Sequence, residues 1–246
     1  MKTSFSFTTI GLSLITAGSL WVGFTQAEIP ENALVSIWQY DEGAGNQVKD
    51  RGVGAHGTLT GGHWTKDSLR GDGALEFNGK GDSVKVVNAI PINDIIVRNR
   101  TILALFKPAD LATTGPQVIY EEGGITRGFN IYVDSGKLYV GAWNTPDYVW
   151  RGEWPSVPYY PNRWYFAGLV LRDARDKLEK NKLEMWLNGT LLHKVPGGQV
   201  FPHIFGISPI PHGFYTDPQQ RSEFALCEVV ADTNLLYIRR TDNKGP

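Results

Sequence analysis

The sequence predicts an all-β fold in which two antiparallel sheets pack face to face. Three observations lead to this class. The chain has 28 glycines among 246 residues and 12% aromatic residues, a composition typical of many strands joined by tight turns. Apolar and polar residues alternate in short runs, as they do in half-buried strands. The turn sequences Asp134-Ser135-Gly136 and Asn188-Gly189 each lie between two such runs and indicate β-hairpins.

The predicted strands follow one another along almost the whole chain. Pro108 ends one of them, because proline has no N–H to donate to a sheet. Residues 41–73 are rich in glycine and predict turns with short strand pieces. The charged segment 173–181 indicates either a helix or a solvated loop. The predicted strands are residues 34–40, 74–77, 83–87, 101–107, 117–121, 129–133, 137–143, 164–171, 183–187, 190–195 and 224–231.

The N-terminus carries a targeting signal. Lys2 precedes an apolar run at residues 10–24, and Thr25-Gln26-Ala27 ends in the small residue that signal peptidase accepts. The alternative is an uncleaved anchor, but the run is short for a membrane span, which needs about 20 apolar residues. We therefore predict a signal peptide at residues 1–27, one domain at 28–246, no stable membrane span after cleavage, and a secreted, extracellular or periplasmic protein.

Charge and cysteine content limit which partners and covalent links the chain can have. The formal net charge is −1 and the isoelectric point is about 6.5. A nucleic-acid-binding protein usually carries a basic patch or stripe, and this charge balance gives no sign of one. Cys227 is the single cysteine, so no disulfide forms within the chain. Its apolar surroundings favour a buried structural thiol.

An aromatic run indicates a carbohydrate-binding surface. Tryptophans and tyrosines are concentrated within residues 143–160 and are interrupted by prolines. Aromatic rings on stiff loops can stack on the apolar faces of sugars, while neighbouring polar side chains bond the hydroxyls; the alternative is that the rings cap the sandwich. The candidate carbohydrate-binding residues are Trp143, Asn144, Tyr148, Trp150, Arg151 and Trp154.

Catalytic patterns are missing from the sequence. A glycoside hydrolase needs two carboxyl groups about 5–10 Å apart, and no Glu-x-Asp pattern occurs. Glu179 and Glu184 are the nearest candidates, whereas Glu121 and Glu122 are adjacent and point to opposite faces of a strand. The five histidines are scattered, without the close spacing of a zinc site. The sequence therefore predicts no catalytic residues and a protein that is not an enzyme.

Five segments, in order, resemble the laminin-G-like (LamG-like) family of concanavalin A-like jelly rolls. Residues 38–45 resemble its W-x-L-D-E-G-x-G motif, and residues 73–79 its G-A-L-x-F-D-G motif. Residues 162–167, 183–189 and 227–236 are similar to its later motifs, although Phe166 replaces the usual histidine. The resemblance implies a jelly-roll sandwich that binds a ligand.

The same resemblance implies a calcium ion at the rim of the sandwich. Calcium takes six to eight oxygen ligands, and the candidate ligands are Asn78, Gly79 and Asp82. Asp41, Glu42 and Asp217 are further carboxylates that can come close in such a fold. The alternative is that these are ordinary turn residues.

We therefore expect a secreted, non-catalytic domain that recognises a glycan or polysaccharide. An extracellular protein-binding or adhesion domain is the alternative, and a hydrolase or lyase of glycans is less favoured. Asn99 and Asn188 fit the glycosylation pattern and matter if the source is eukaryotic.

Overall fold

A computed structural model describes residues 33–69, 71–79, 81–109, 116–123, 126–148, 150–203, 229–232 and 236–239, without the side chains of residues 147, 148 and the last two segments. Two helical turns, α1 (Ile90–Asn93) and α2 (Thr145–Tyr148), interrupt an otherwise β structure within these residues. The strands are β1 (Leu34–Trp38), β2 (Gln47–Val48), β3 (Gly57–Thr60), β4 (His63–Thr65), β5 (Ala74–Glu76), β6 (Ser83–Val86), β7 (Arg100–Pro108), β8 (Gln117–Gly123), β9 (Arg127–Asp134), β10 (Lys137–Asn144), β11 (Trp150–Glu153), β12 (Ser156–Pro158), β13 (Tyr165–Leu171), β14 (Glu179–Leu187), β15 (Thr190–Gly197), β16 (Val229–Asp232) and β17 (Leu236–Arg239).

The larger sheet has nine described strands. Its main order is β15-β14-β13-β7-β16-β5-β4, and β17 joins β1 to β7. The long central pair β7 and β13 runs antiparallel from Arg100 opposite Leu171 to Phe106 opposite Tyr165.

The smaller sheet has five described strands in the order β11-β10-β9-β8, with β12 also paired to β10. Its centre is the hairpin β9–β10, in which Asp134 is opposite Lys137 and Asn130 is opposite Gly141. Strands β2, β3 and β6 form a separate three-stranded sheet.

The core lies between the two larger sheets. Ile102 and Phe106 of β7 contribute to it from one side, and Phe129 and Ile131 of β9 from the other, all fully buried. Each such side chain stabilises the fold by about 1.5–3 kcal/mol. The alternation that predicted these strands is therefore the alternation between the core and the opposite face of each sheet, and the predicted all-β, two-sheet antiparallel class is confirmed.

Both predicted hairpins are present, with turns that need positive φ angles. Ser135 and Gly136 have φ angles of 48° and 75°, and Asn188 and Gly189 have 49° and 81°. Two consecutive residues with positive φ are the mark of a type I′ turn, whose twist matches that of the flanking strands.

The segment 173–181 is not helical. Arg175 and Lys177 form an isolated antiparallel bridge, and β14 begins at Glu179. The predicted strand 183–187 is thus four residues longer, because the charged residues at its start extend the pairing with β15. The loop alternative was the correct one for residues 173–178.

Several predictions fall on residues outside the described ranges. The predicted signal peptide, Cys227 and Asp217 are among them, and only residues 229–231 of the predicted strand 224–231 are described, within β16. In the described residues, no helix is long and apolar enough to span a membrane.

Candidate functional site

The five-stranded sheet has one face on the core and one face turned away from it. Along β9, Phe129, Ile131 and Val133 belong to the core, so Asn130 and Tyr132 project to the opposite side. We call this opposite side the outer face. The side chains that define it are Glu121, Asn130, Tyr132, Tyr139, Trp143 and Trp154.

Trp154 lies flat on this sheet because two glycines leave room for its indole ring. A Cβ atom on Gly141 would be 2.0 Å from the indole Nε1 atom, and one on Gly152 would be 2.1 Å from Cη2. No real side chain tolerates such distances. The Trp154 ring therefore rests on backbone where neighbouring strands normally carry side chains.

Two further contacts fix the orientation of this ring. The indole Nε1 donates a hydrogen bond to Oδ1 of Asn130 at 3.1 Å. The ring also stacks on Trp143, with centroids 6.0 Å apart and planes 27° from parallel. Trp143 is 1% exposed, whereas Trp154 remains half-buried. We refer to Gly141, Gly152, Asn130 and Trp143 as the Trp154 seat.

A tyrosine pair lies further along the same face. Tyr132 and Tyr139 are directly opposite each other on β9 and β10, with ring centroids 4.7 Å apart and planes within 2° of parallel. Tyr132 is 1% exposed and Tyr139 is half-buried. The Tyr132 hydroxyl is buried and has no hydrogen-bond partner within the described part of the chain. Burial, then the neighbouring Tyr139 and Asp134, raise the pKa of Tyr132, so it is a neutral phenol.

Glu121 is the acidic group beside Asn130. The two residues are opposite each other on β8 and β9. Glu121 is half-buried, and its Oε1 atom is enclosed without a hydrogen-bond partner in the described residues. Burial raises the pKa of the Glu121 carboxyl well above its usual range. The outer face thus combines two aromatic pairs with an amide, a phenol and a carboxyl group.

Glu122 points the other way, as expected for adjacent strand residues, and belongs to a buried polar cluster. Arg100 donates to it at 3.4 Å, the Tyr120 hydroxyl donates to it at 3.0 Å, and the His203 Nε2 atom lies 3.9 Å away. Burial alone would raise the pKa of Glu122, but the Arg100 charge, His203 and Tyr120 outweigh it and lower the pKa. Because the cluster is enclosed between the sheets, its role is to hold elements together.

The segment after β15 brings His203 to that cluster. Val200 pairs with Val97 in an isolated bridge, and the His203 backbone N–H donates to the Asn93 carbonyl at 2.7 Å. The Asn144 amide donates to the Gln199 carbonyl at 2.9 Å. Asn144 is fully buried in this position, so it is a structural residue.

The structure separates the predicted carbohydrate-binding residues into two groups. Trp143, Asn144 and Trp150 are buried, and Trp150 at 2% exposure is part of the core. The expectation that these three present themselves on a surface is therefore wrong. Arg151 is exposed and Trp154 is half-buried, so both remain candidates. The Tyr148 side chain lies outside the described residues.

Sequence reasoning missed Glu121, Asn130, Tyr132 and Tyr139. They lie on β8, β9 and β10, upstream of the aromatic run, and only the strand register brings them to Trp154. Alternation along 129–133 placed Asn130 and Tyr132 on one face, which is the signal that was available.

The candidate calcium ligands lie in the loop between β5 and β6. Asp82 is buried, and its Oδ2 atom accepts a hydrogen bond from the Asn78 backbone N–H at 2.8 Å. Its Oδ1 atom faces Gly61, where a Cβ atom would lie 1.9 Å away. Within the described residues, no three His, Cys, Asp or Glu side chains are grouped to hold a metal ion. Asp82 therefore fits a loop-bracing role better than a calcium site, and calcium stays a prediction.

The remaining sequence candidates are engaged in structural contacts. Glu184 forms ion pairs with Arg172 and Lys194, both at 3.1 Å. The Asn99 side chain accepts a hydrogen bond from the Asp173 N–H, and the Asn188 side chain accepts one from the Phe166 N–H.

Solved structures resemble this chain at low sequence identity. The botulinum neurotoxin serotype G binding domain matches with a TM-score of 0.48 and 12% identity, over 83% of this chain and 45% of its own length. The receptor-binding domain of botulinum neurotoxin D gives 0.46 and 14%, over 85% and 48%. A Trypanosoma rangeli sialidase mutant displaying trans-sialidase activity gives 0.43 and 14%, over 89% and 29%.

The chain spans less than half the length of each of these structures. No protein-family model and no curated protein matches the sequence.

Proposed function

We propose that this chain is a secreted, non-catalytic, LamG-like domain that binds carbohydrate on the outer face of its five-stranded sheet. The Trp154 seat carries this proposal. An indole ring that is hydrogen-bonded, stacked and supported by backbone is already ordered before a ligand arrives. Binding then costs little side-chain entropy, and preorganisation of this kind raises affinity.

The chemistry around Trp154 matches what a sugar ring requires. The aromatic ring offers an apolar face to the C–H face of a pyranose, and a polar rim is needed for its hydroxyls. Glu121 and Tyr139, both half-buried, supply hydrogen-bonding groups on the same side of the sheet. Apolar surface with a few convergent polar groups is the general form of a small-molecule site.

The spacing of carboxyl groups on the outer face supports a role without catalysis. Glu121 is opposite Asn130, and Asp134 lies four residues further along β9. At about 3.4 Å per residue, this separates the two backbone positions by roughly 14 Å. Glycoside hydrolases hold their two carboxyl groups about 5–10 Å apart.

The test compares two half-buried tryptophans on different sheets. Trp186 of β14 resembles Trp154, because its Nε1 donates to Glu184 at 2.9 Å and it lies opposite a glycine, Gly168. We expect Trp154→Ala to weaken retention on a binding polysaccharide at least tenfold, and Trp186→Ala to leave it unchanged. Affinity electrophoresis against a polysaccharide panel measures both, with circular dichroism confirming the fold. Equal losses in both variants, or no binding by the wild type, would contradict the proposal.

Secretion rests on the predicted signal peptide at residues 1–27. N-terminal sequencing of protein recovered outside the cytoplasm is expected to begin at Glu28; protein retained in the cytoplasm with residue 1 intact would contradict it.

A second candidate function is protein binding through the segment 87–96. Val87 is 58% exposed and Ile90 is 67% exposed, and Ile96 in the same segment is also exposed. Exposed apolar side chains grouped on one loop are typical of contact sites. A folded protein that binds no polysaccharide but captures a secreted protein, with capture lost in Ile90→Glu, would favour this function.

A further inference from the structure

The fold and the Trp154 seat do not explain why an acidic side chain, Glu121, lies on the outer face. Its neighbour Glu122 is paired with Arg100 inside the core. Glu121 forms no ion pair with any described lysine, arginine or histidine, and its Oε1 atom has no hydrogen-bond partner among the described residues. Leaving a half-enclosed carboxyl group unpaired costs stability, so such a group calls for another explanation.

The position of Glu121 relates it directly to the seat. It is opposite Asn130, the residue that holds the Trp154 indole, and Tyr132 lies two residues beyond Asn130 on the same face. Diagonal neighbours of this kind are about 7–8 Å apart. One sugar ring stacked on Trp154 can therefore place a hydroxyl group near the Glu121 carboxyl group.

We propose that Glu121 is the specificity determinant of the outer face, and that it selects uncharged, hydroxyl-bearing sugars over sugars that carry carboxylate or sulfate groups. This inference rests on the proposed carbohydrate-binding function. A hydroxyl group both donates to and accepts from a carboxyl group, so it can bond Glu121 without a counter-charge on the protein. An acidic sugar instead brings a negative charge to a half-enclosed position where none of the described lysine, arginine or histidine side chains pairs with it.

The other charged and titratable groups of this face lie away from Glu121. Asp134 and Lys137 are opposite each other at the far end of β9 and β10, and Tyr132 and Tyr139 lie between. Arg151 is exposed on β11. Burial raises the pKa of Glu121, which agrees with a neutral acid that donates a hydrogen bond to the ligand.

The experiment measures the affinity of the purified protein for matched neutral and acidic polysaccharides, such as a β-glucan or mannan against polygalacturonate or a sulfated glycan. We expect the wild type to prefer the neutral member at least tenfold. Glu121→Gln keeps a donor and the shape and is expected to retain neutral binding within about twofold, whereas Glu121→Ala loses about tenfold. Glu121→Lys is expected to reverse the preference.

Glu153→Gln is the matched control. Glu153 is also half-buried in this sheet with a pKa raised by burial, but it is opposite the core residue Ala142. We expect its affinities to equal those of the wild type. Binding that depends on Trp154 but does not distinguish neutral from acidic glycans, or that is unchanged in Glu121→Ala, would overturn the specificity role and leave the carbohydrate function standing. No binding to any glycan would overturn both.

Discussion

Strand β8 carries two neighbouring glutamates whose surroundings shift their pKa values in opposite directions. Glu122, on the core side, has Arg100, Tyr120 and His203 around it, and its pKa is lowered. Glu121, on the outer face, has no such partners among the described residues, and burial raises its pKa. Both side chains lose water on folding, so the difference comes from what replaces that water. Arg100 and the groups around it hold Glu122 in a structural cluster, whereas Glu121 has no cationic partner within the described part of the chain.

The largest expected effect comes from replacing Trp150 on the core side of the sheet, compared with Trp154 on its outer face. Trp150→Ala is expected to lower the free energy of unfolding by about 3–5 kcal/mol, because Trp150 belongs to the core. Trp154→Ala removes a half-buried ring and one hydrogen bond, and we expect it to cost roughly 1–2 kcal/mol. Urea denaturation of both variants gives the two values. Equal costs would mean that the outer-face tryptophan is also a core residue.

Replacing Arg100 tests the core side of the comparison. Arg100→Met leaves Glu122 buried without its charge partner and is expected to cost about 3 kcal/mol or more at pH 7. Since the folded-state pKa of Glu122 is below its ordinary value of 4.5, its contribution is present above that value and is lost as pH falls through the folded pKa. The wild type should therefore lose stability in acid more steeply than Glu122→Gln. Parallel pH profiles of unfolding would show that the cluster does not hold Glu122 ionised.

Glu121→Gln is expected to change the stability least. The pH dependence of the Glu121 contribution is opposite to that of Glu122. A carboxyl group whose folded-state pKa is raised stabilises the fold below its ordinary pKa, and this contribution is lost as pH rises through the folded value. We expect Glu121→Gln to melt at a higher temperature than the wild type at pH 8 and at nearly the same temperature at pH 4. Melting temperatures measured across this range decide the point, and a lower melting temperature at pH 8 would reveal a partner that stabilises the ionised form.

The parts of the fold that the sequence predicted are those with local causes. The turn at Asn188-Gly189 depends on the φ angles of two adjacent residues. The strands 129–133 and 137–143 depend on the alternation of apolar and polar residues within each run. The proposed carbohydrate site depends on register between strands. Trp150 and Trp154 are close in sequence and chemically alike, but β11 meets β10 through an irregular pairing between Ala142 and Asn144. This irregularity changes which side chains face the core, and nothing in the residue types indicates it.

The aromatic run at residues 143–160 also shows that local sequence does not predict contacts between strands. It includes Trp154, but the position of the Trp154 ring depends on Gly141 and Asn130 of other strands and on Gly152. Asn130, which anchors the indole, lies 24 positions earlier in the chain. No local pattern links residues at that distance; the pairing of β9 with β10 and of β10 with β11 brings them together.

The Trp154 seat has a genetic consequence, because Gly141 and Gly152 contribute to it only by lacking side chains. Every missense mutation at either codon adds at least one carbon atom where the indole ring lies. Changes at Glu121 or Tyr139 leave that space untouched. Mutation can therefore change the polar residues around the Trp154 ring while the two glycine codons keep the space for that ring open.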